Sequence, residues 1–194
     1  MTHRPRWGLF LAIGLAIVVA DQATKALVTA TLRPGESRAI VDDLLRIVFS
    51  QNSGALFGLF KDNAAMFGVV SLAVIALIVI YHARAGGSLY MTVTLGLLLG
   101  GAIGNMLDRL RLGYVVDFVD GGIGNVRWYT FNVADAAITL SILLLLLAAV
   151  RPGIAEPRER PGPIAPVRGE EASSADGADR AVVAEARPVT PGDR

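Results

Sequence analysis

The chain has 194 residues, 53% of them apolar, a formal net charge of +1 and no cysteine. So apolar a composition does not suit an ordinary soluble domain, and the lack of cysteine removes disulfides, thiolate nucleophiles and cysteine-ligated zinc. His3 and His82 are the only histidines and neither has a carboxylate or second histidine at ligand spacing, which argues against a Ser-His-Asp triad or an HExxH zinc site.

The first apolar run, Trp7–Val28, follows the basic stub Thr2-His3-Arg4-Pro5-Arg6 and is long enough to cross a hydrocarbon core of ~30 Å at about 1.5 Å per residue. Val18-Val19-Ala20 resembles a leader-peptide cleavage site, so a cleaved leader competes with a retained signal anchor. Three further spans favour the anchor, with Asp21 and Lys25 finishing its outer end. Residues 31–63 join the turn signal Arg33-Pro34-Gly35 to the β-prone run Leu44–Phe49 and predict a small extramembrane sheet.

A second span covers Ala64–Ala83 and closes in Arg84-Ala85-Gly86-Gly87, a short turn. In the third, Leu89–Leu107, Gly96, Gly100 and Gly104 recur every four residues and form a stripe that admits a neighbouring helix. Residues 108–132 form the next loop, and Val133–Val150 is the fourth span. The remaining residues, 151–194, carry seven arginines, eight acids and no sustained apolar periodicity, a composition expected to be disordered. Arg4 and Arg6 without a nearby acid favour an inside N-terminus. Four spans then return the tail to the cytoplasm and turn loops 31–63 and 108–132 outward. The expected architecture is an all-α membrane protein of four transmembrane helices over 1–150, with a cytoplasmic tail over 151–194. No basic run with interleaved aromatics occurs, so nucleic acid is not an expected partner.

Charged and amide side chains gather at the outer ends of these spans: Asp21 and Lys25, then Asn105, Asp108 and Arg109, then Asn132 and Asp135, with Asp117 in the connecting loop. Each has an ordinary structural reading. Asp21 and Lys25 at i, i+4 stabilise any helix. Asn132 and Asp135 match an N-cap with an acid at the positive end of the helix dipole. Asp117 fits the polar position of an alternating strand, and Arg109 a helix end. Intramembrane carboxylates are costly, however, and their convergence at one surface points to a site.

Four stretches carry a resemblance to a family: Asp21-Gln22-Ala23-Thr24-Lys25, Asn52-Ser53-Gly54-Ala55-Leu56-Phe57, Gly104-Asn105-Met106-Leu107-Asp108-Arg109 running on to Val115-Val116-Asp117-Phe118, and Phe131-Asn132-Val133-Ala134-Asp135. In this order, over residues 7 to 150, the chain resembles the lipoprotein signal peptidases, or signal peptidase II, the bacterial membrane aspartic peptidases. The resemblance implies four transmembrane helices with a small extracytoplasmic β-rich cradle and a catalytic pair matching Asp117 and Asp135. It assigns supporting positions to Asp21, Lys25, Asn52, Gly54, Asn105, Arg109, Asn132 and Ala134. The implied substrate is a diacylglyceryl-modified prolipoprotein, cut just before its lipid-modified cysteine, and no metal or organic cofactor is required. A monomer in contact with membrane lipids is expected, in the bacterial cell membrane. Two readings compete: an ion- or proton-coupled transporter relaying charge through Asp21, Lys25, Asp117 and Asp135, and a serine–lysine peptidase using Ser53 and Lys25.

Overall fold

The computed structural model describes residues 4–53, 64–84 and 87–156, with the side chains of 64–68 left aside. Gly54, the Ala85-Gly86 turn and the tail beyond Glu156 lie outside these residues. In chain order the elements are α1 (Trp7–Thr31), β1 (Ser37–Val41), β2 (Leu45–Asn52), α2 (Ala64–Arg84), α3 (Leu89–Leu112), β3 (Val115–Ile123), β4 (Val126–Arg127), α4 (Val133–Val150) and a 3-10 turn at Pro152–Ile154. By length and composition α1, α3 and α4 are each sufficient to cross a membrane, and α2 is apolar over Val69–Arg84.

α3 is the central helix, packed against α1, α2 and α4. Glycine makes this possible. A Cβ on Gly100 would stand 2.6 Å from Ile17 Cβ and 2.7 Å from the Gly14 carbonyl oxygen of α1. On the other side, a Cβ on Gly101 would stand 2.6 Å from the Ala134 carbonyl oxygen of α4. The stripe predicted from the sequence therefore faces α1, and a neighbouring glycine serves α4. Phe10, Ile78, Leu95 and Leu99 fill the core between α1, α2 and α3.

The strands form one antiparallel sheet in the order β1-β2-β3-β4, drawn from both loops. Val116 and Phe118 of β3 join Phe49 of β2 over Val28 and Leu32 at the end of α1. This second core fixes the sheet to the helices.

Three expectations need correction. The third helix does not stop at Leu107: nothing breaks it before Gly113, whose φ of 79° is a left-handed cap, so Asp108 and Arg109 are helical. The first helix likewise runs to Thr31, which leaves Asp21 and Lys25 buried within it rather than finishing its end. Asp117 is not on a loop but on β3, where Val115, Val116, Asp117 and Phe118 are all buried. Both faces of that strand are covered at this point, the core above on one side and the helix ends on the other, so the alternation expected of a half-exposed strand is lost.

Candidate active site

The start of α4 organises the polar centre. The first backbone N–H groups of a helix have no acceptor within it, and here side chains supply them. Asn132 Oδ1 accepts the Asp135 N–H at 2.8 Å while Asp135 Oδ2 accepts the Asn132 N–H at 3.3 Å, a reciprocal capping box. The Ala134 N–H donates across the bundle to Asp21 Oδ1 of α1 at 3.0 Å. Gly104 makes room for that carboxylate, since a Cβ there would stand 2.7 Å from Asp21 Oδ2.

These caps decide how the asparagines point. With Asn132 Oδ1 committed to the helix, its Nδ2 faces Asp117 Oδ1 and donates to it at 2.7 Å. Asn105 is fixed in the same way. Its Oδ1 accepts from Lys25 Nζ at 3.2 Å and from Asn132 Nδ2 at 3.3 Å, and its Nδ2 donates to Asp135 Oδ1 at 2.7 Å. Asn52, the last residue of β2, donates Nδ2 to Asp117 Oδ2 at 3.0 Å. Three amides from β2, α3 and the α4 cap thus hold two carboxylates.

Beneath them lies a buried ionic base. Lys25 Nζ is 2.8 Å from both Asp21 Oδ2 and Asp108 Oδ2, and the three residues are 3%, 0% and 3% exposed. Such a cluster is tolerated only where its remaining lone pairs are satisfied. Gln22 Nε2 meets this need with contacts to Asp108 Oδ1 at 2.9 Å and Asp21 Oδ2 at 3.2 Å. The Val116 N–H donates to Asp108 Oδ2 at 3.1 Å and so ties the base to β3 beside Asp117. Lys25 directs its donors at Asp21, Asp108 and Asn105, which leaves none for Ser53 and removes the serine–lysine alternative. Arg109 Nη1 donates to the Asn105 carbonyl at 3.3 Å, and its charge acts on Asp135, Asp117 and Asp108.

Asp117 is 1% exposed. Burial first, and then the neighbouring Asp135 carboxylate, push its pKa up to about 6, against the lowering effect of the Asn52 and Asn132 donors and the Lys25 charge. Of the positions expected from the sequence, Asp117, Asp135, Asn52, Asn105 and Asn132 meet directly, while Asp21, Lys25 and Ala134 support them and Arg109 flanks them. Gln22 and Asp108 are the two functional positions to which sequence reasoning assigns no role. The available signals were an amide next to an intramembrane acid and the i, i+3 spacing of Asn105 and Asp108 on one helix face.

Asp117 is buried and Asp135 half-buried, each in the other's field where β3 meets the N-terminus of α4, and the class this fold and site define is a membrane protein with two acids held together at one end of a bundle of membrane-length helices. The comparisons with known proteins agree. The family model described as signal peptidase (SPase) II matches residues 13–151, and the chain belongs to that family. It is similar to a lipoprotein signal peptidase of Syntrophomonas wolfei, 39% identical over 152 residues that cover 78% of this chain and 97% of the relative. One from Geobacillus kaustophilus is 43% identical over 136 residues, covering 70% and 88%. A solved bacterial membrane enzyme superposes with a TM-score of 0.72 at 27% identity, covering 84% of this chain and 99% of that one.

Proposed function

We propose that this chain is an aspartic endopeptidase that removes the signal peptide from diacylglyceryl-modified prolipoproteins by cutting just before the lipid-modified cysteine, with Asp117 and Asp135 as its catalytic pair. The observation that carries the reading is the donor set: a buried and a half-buried carboxylate, each oriented by an asparagine whose own orientation is fixed. Family membership supplies the substrate class.

Two close carboxylates do not both ionise readily, so the pair shares a proton. The positive end of the α4 dipole favours the charged form of Asp135, so the shared proton falls to Asp117, which burial and the neighbouring Asp135 carboxylate push toward its neutral form. Asp135, placed in the first turn of α4, takes the base role. A water between them gives a proton to Asp135 as its oxygen attacks the scissile carbonyl carbon, and the Asp117 hydroxyl donates a hydrogen bond to the carbonyl oxygen. When the tetrahedral intermediate collapses, the C–N bond breaks and the pair returns a proton to the departing amine. Asn52, Asn105 and Asn132 keep both acids in register, and the Asp21–Lys25–Asp108 base keeps the asparagines in place.

In this reading all four helices span the bacterial cell membrane, with both termini cytoplasmic, the sheet on the outer surface and the protein acting as a monomer. The transporter alternative lacks support in the placement of polar groups. Away from this end, the buried hydroxyls of Thr92, Thr94 and Ser141 donate to carbonyls of their own helices and form no chain across the bundle.

The test uses purified protein, a diacylglyceryl-modified prolipoprotein and its unlipidated twin, followed by gel shift. Cleavage of the lipidated form alone is expected, lost in Asp117→Asn and in Asp135→Asn. Appreciable activity in either variant, or equal cleavage of both substrates, overturns the proposal.

A further inference from the structure

The C-terminal end of α1 opens into a cleft that the catalytic proposal does not use. It encloses about 740 Å³ and is lined by residues 29–33 with Glu36 and Arg38. The local sequence explains why this helix end stays open. The last carbonyls of a helix need donors from beyond it. The N–H that would answer the Thr29 carbonyl is that of Arg33, and it donates to Glu36 Oε2 at 3.0 Å instead. Ala30 would be answered by residue 34, a proline, which has no N–H. Thr31 would be answered by Gly35, whose N–H goes to the Phe49 carbonyl at 2.8 Å, and Arg38 Nη2 takes its place at 3.3 Å. Among the described residues the Thr29 and Ala30 carbonyls are therefore left without a main-chain donor, at the negative end of the helix dipole.

Both signs of charge meet on the rim. Arg33, Glu36 and Arg38 are all exposed there. Glu36 Oε1 stands 3.9 Å from Arg38 Nη2, and an exposed pair at such a distance contributes little. The Glu36 carboxylate and the remaining guanidinium donors are thus open to a ligand. The set suits a molecule with an ammonium and an anion a few bonds apart: the ammonium donates to Glu36 and the free carbonyls, and the forked guanidinium donors match phosphate. What leads up to the cleft identifies the carrier of that headgroup. Ala16, Ala20, Ala23, Leu27 and Ala30 fall on one face of α1 and all are exposed. Their mostly small side chains leave a shallow lane along the helix, which ends at the cleft that Ala30 lines. From Ala20 to Ala30 the lane runs about 15 Å at 1.5 Å per residue, half of a hydrocarbon core of ~30 Å.

We propose that this cleft binds the phosphoethanolamine headgroup of a phospholipid, with its phosphate on Arg33 and Arg38, its primary ammonium on Glu36 and the Thr29 and Ala30 carbonyls, and an acyl chain along the alanine lane. The site is separate from the acid pair but mechanically joined to it. Val28 and Leu32, on the same end of α1, pack against Val116 and Phe118, the neighbours of Asp117 on β3. A lipid seated in the cleft therefore braces the helix end on which the sheet rests.

The test immobilises the full-length protein in dodecyl maltoside and equilibrates it with radiolabelled phosphatidylethanolamine, phosphatidylcholine or phosphatidylglycerol of identical acyl chains. Retained lipid is counted per protein. Phosphatidylethanolamine should saturate at a several-fold lower concentration than phosphatidylcholine, whose quaternary ammonium donates no hydrogen bond, and than phosphatidylglycerol, which has no cation. Glu36→Gln keeps an amide oxygen for the Arg33 N–H, and should bring phosphatidylethanolamine down to the level of phosphatidylglycerol while leaving the latter unchanged. Arg33→Ala/Arg38→Ala should weaken retention of all three several-fold. Equal retention of the three lipids by the parent overturns the proposal, as does a preference for phosphatidylethanolamine that survives Glu36→Gln. Loss of phosphatidylglycerol as well in Glu36→Gln assigns that residue to the fold and overturns its role as the ammonium acceptor. Soluble O-phosphoethanolamine that displaces the lipid as effectively as phosphatidylethanolamine itself overturns the acyl lane. Elution as a dimer that retains no lipid also overturns the proposal, because a helix of a second copy then covers the lane. Lipid retention does not depend on peptidase activity, so failure of this site and failure of the proposed function are told apart.

Discussion

Replacing Asp117 by asparagine should alter the pH dependence of stability as well as abolish cleavage. The carboxyl pKa lies at about 6 in the folded protein against an ordinary value near 3.8. A carboxyl raised in this way binds more protons folded than unfolded between those values, so its contribution favours folding at the acid end and is lost as pH rises from about 4 to 6. Two pH units correspond to roughly 3 kcal/mol of destabilisation at neutral pH, as an order of magnitude. Asparagine removes this cost but cannot accept from both Asn52 Nδ2 and Asn132 Nδ2, and one unsatisfied buried donor costs about 1–3 kcal/mol. Near pH 7 the two effects are comparable, so the variant should be about as stable as the parent. Near pH 4 only the second remains, and the variant should be the less stable. Thermal unfolding in detergent from pH 4 to 8, parent minus variant, reads the difference curve, which belongs to the coupled acid pair. Parallel curves would refute the raised pKa, and a variant that still cleaves would refute the acid pair.

Lys25→Met should destabilise the protein by about 3–5 kcal/mol, because it leaves Asp21 and Asp108 buried without their shared cation; unchanged thermal unfolding would mean that the base is hydrated. Gly100→Val should lower stability and activity together, by at least ~1–3 kcal/mol in stability, since even its Cβ would meet the Gly14 carbonyl oxygen and Ile17 of α1. An active variant with unchanged thermal stability refutes the close α1–α3 approach. A truncation after Gly153 should cleave lipidated substrate at close to the full-length rate, because the family match ends at residue 151; normal membrane insertion with lost activity would refute this.

What the sequence could reveal about the site follows from where its information lies. A carboxylate inside an apolar run is visible as a contradiction of its surroundings, so Asp21, Lys25, Asn105 and Asp135 stood out before any contact was known. Asp117 did not. Its neighbours read as a strand or a loop with equal ease, and the choice depended on whether a helix end covered the second face, which is a tertiary fact. The end of α3 was misplaced for a related reason. Hydropathy marks where a chain leaves lipid, but a helix stops where its backbone finds a cap, and that cap is Gly113, beyond the polar residues that the helix carries inward. The asparagine orientations were the least legible feature, since a primary amide reads identically in either flip. Here the flips form a sequence of consequences. The α4 N-terminus fixes Asn132, and Lys25 together with Asn132 fixes Asn105. Lys25 is in turn held by Asp21, whose other oxygen caps α4 at Ala134. The circuit closes on itself, so an apparently conservative change such as Asn105→Asp, which turns the donor facing Asp135 into a third acid, disturbs every member rather than one bond.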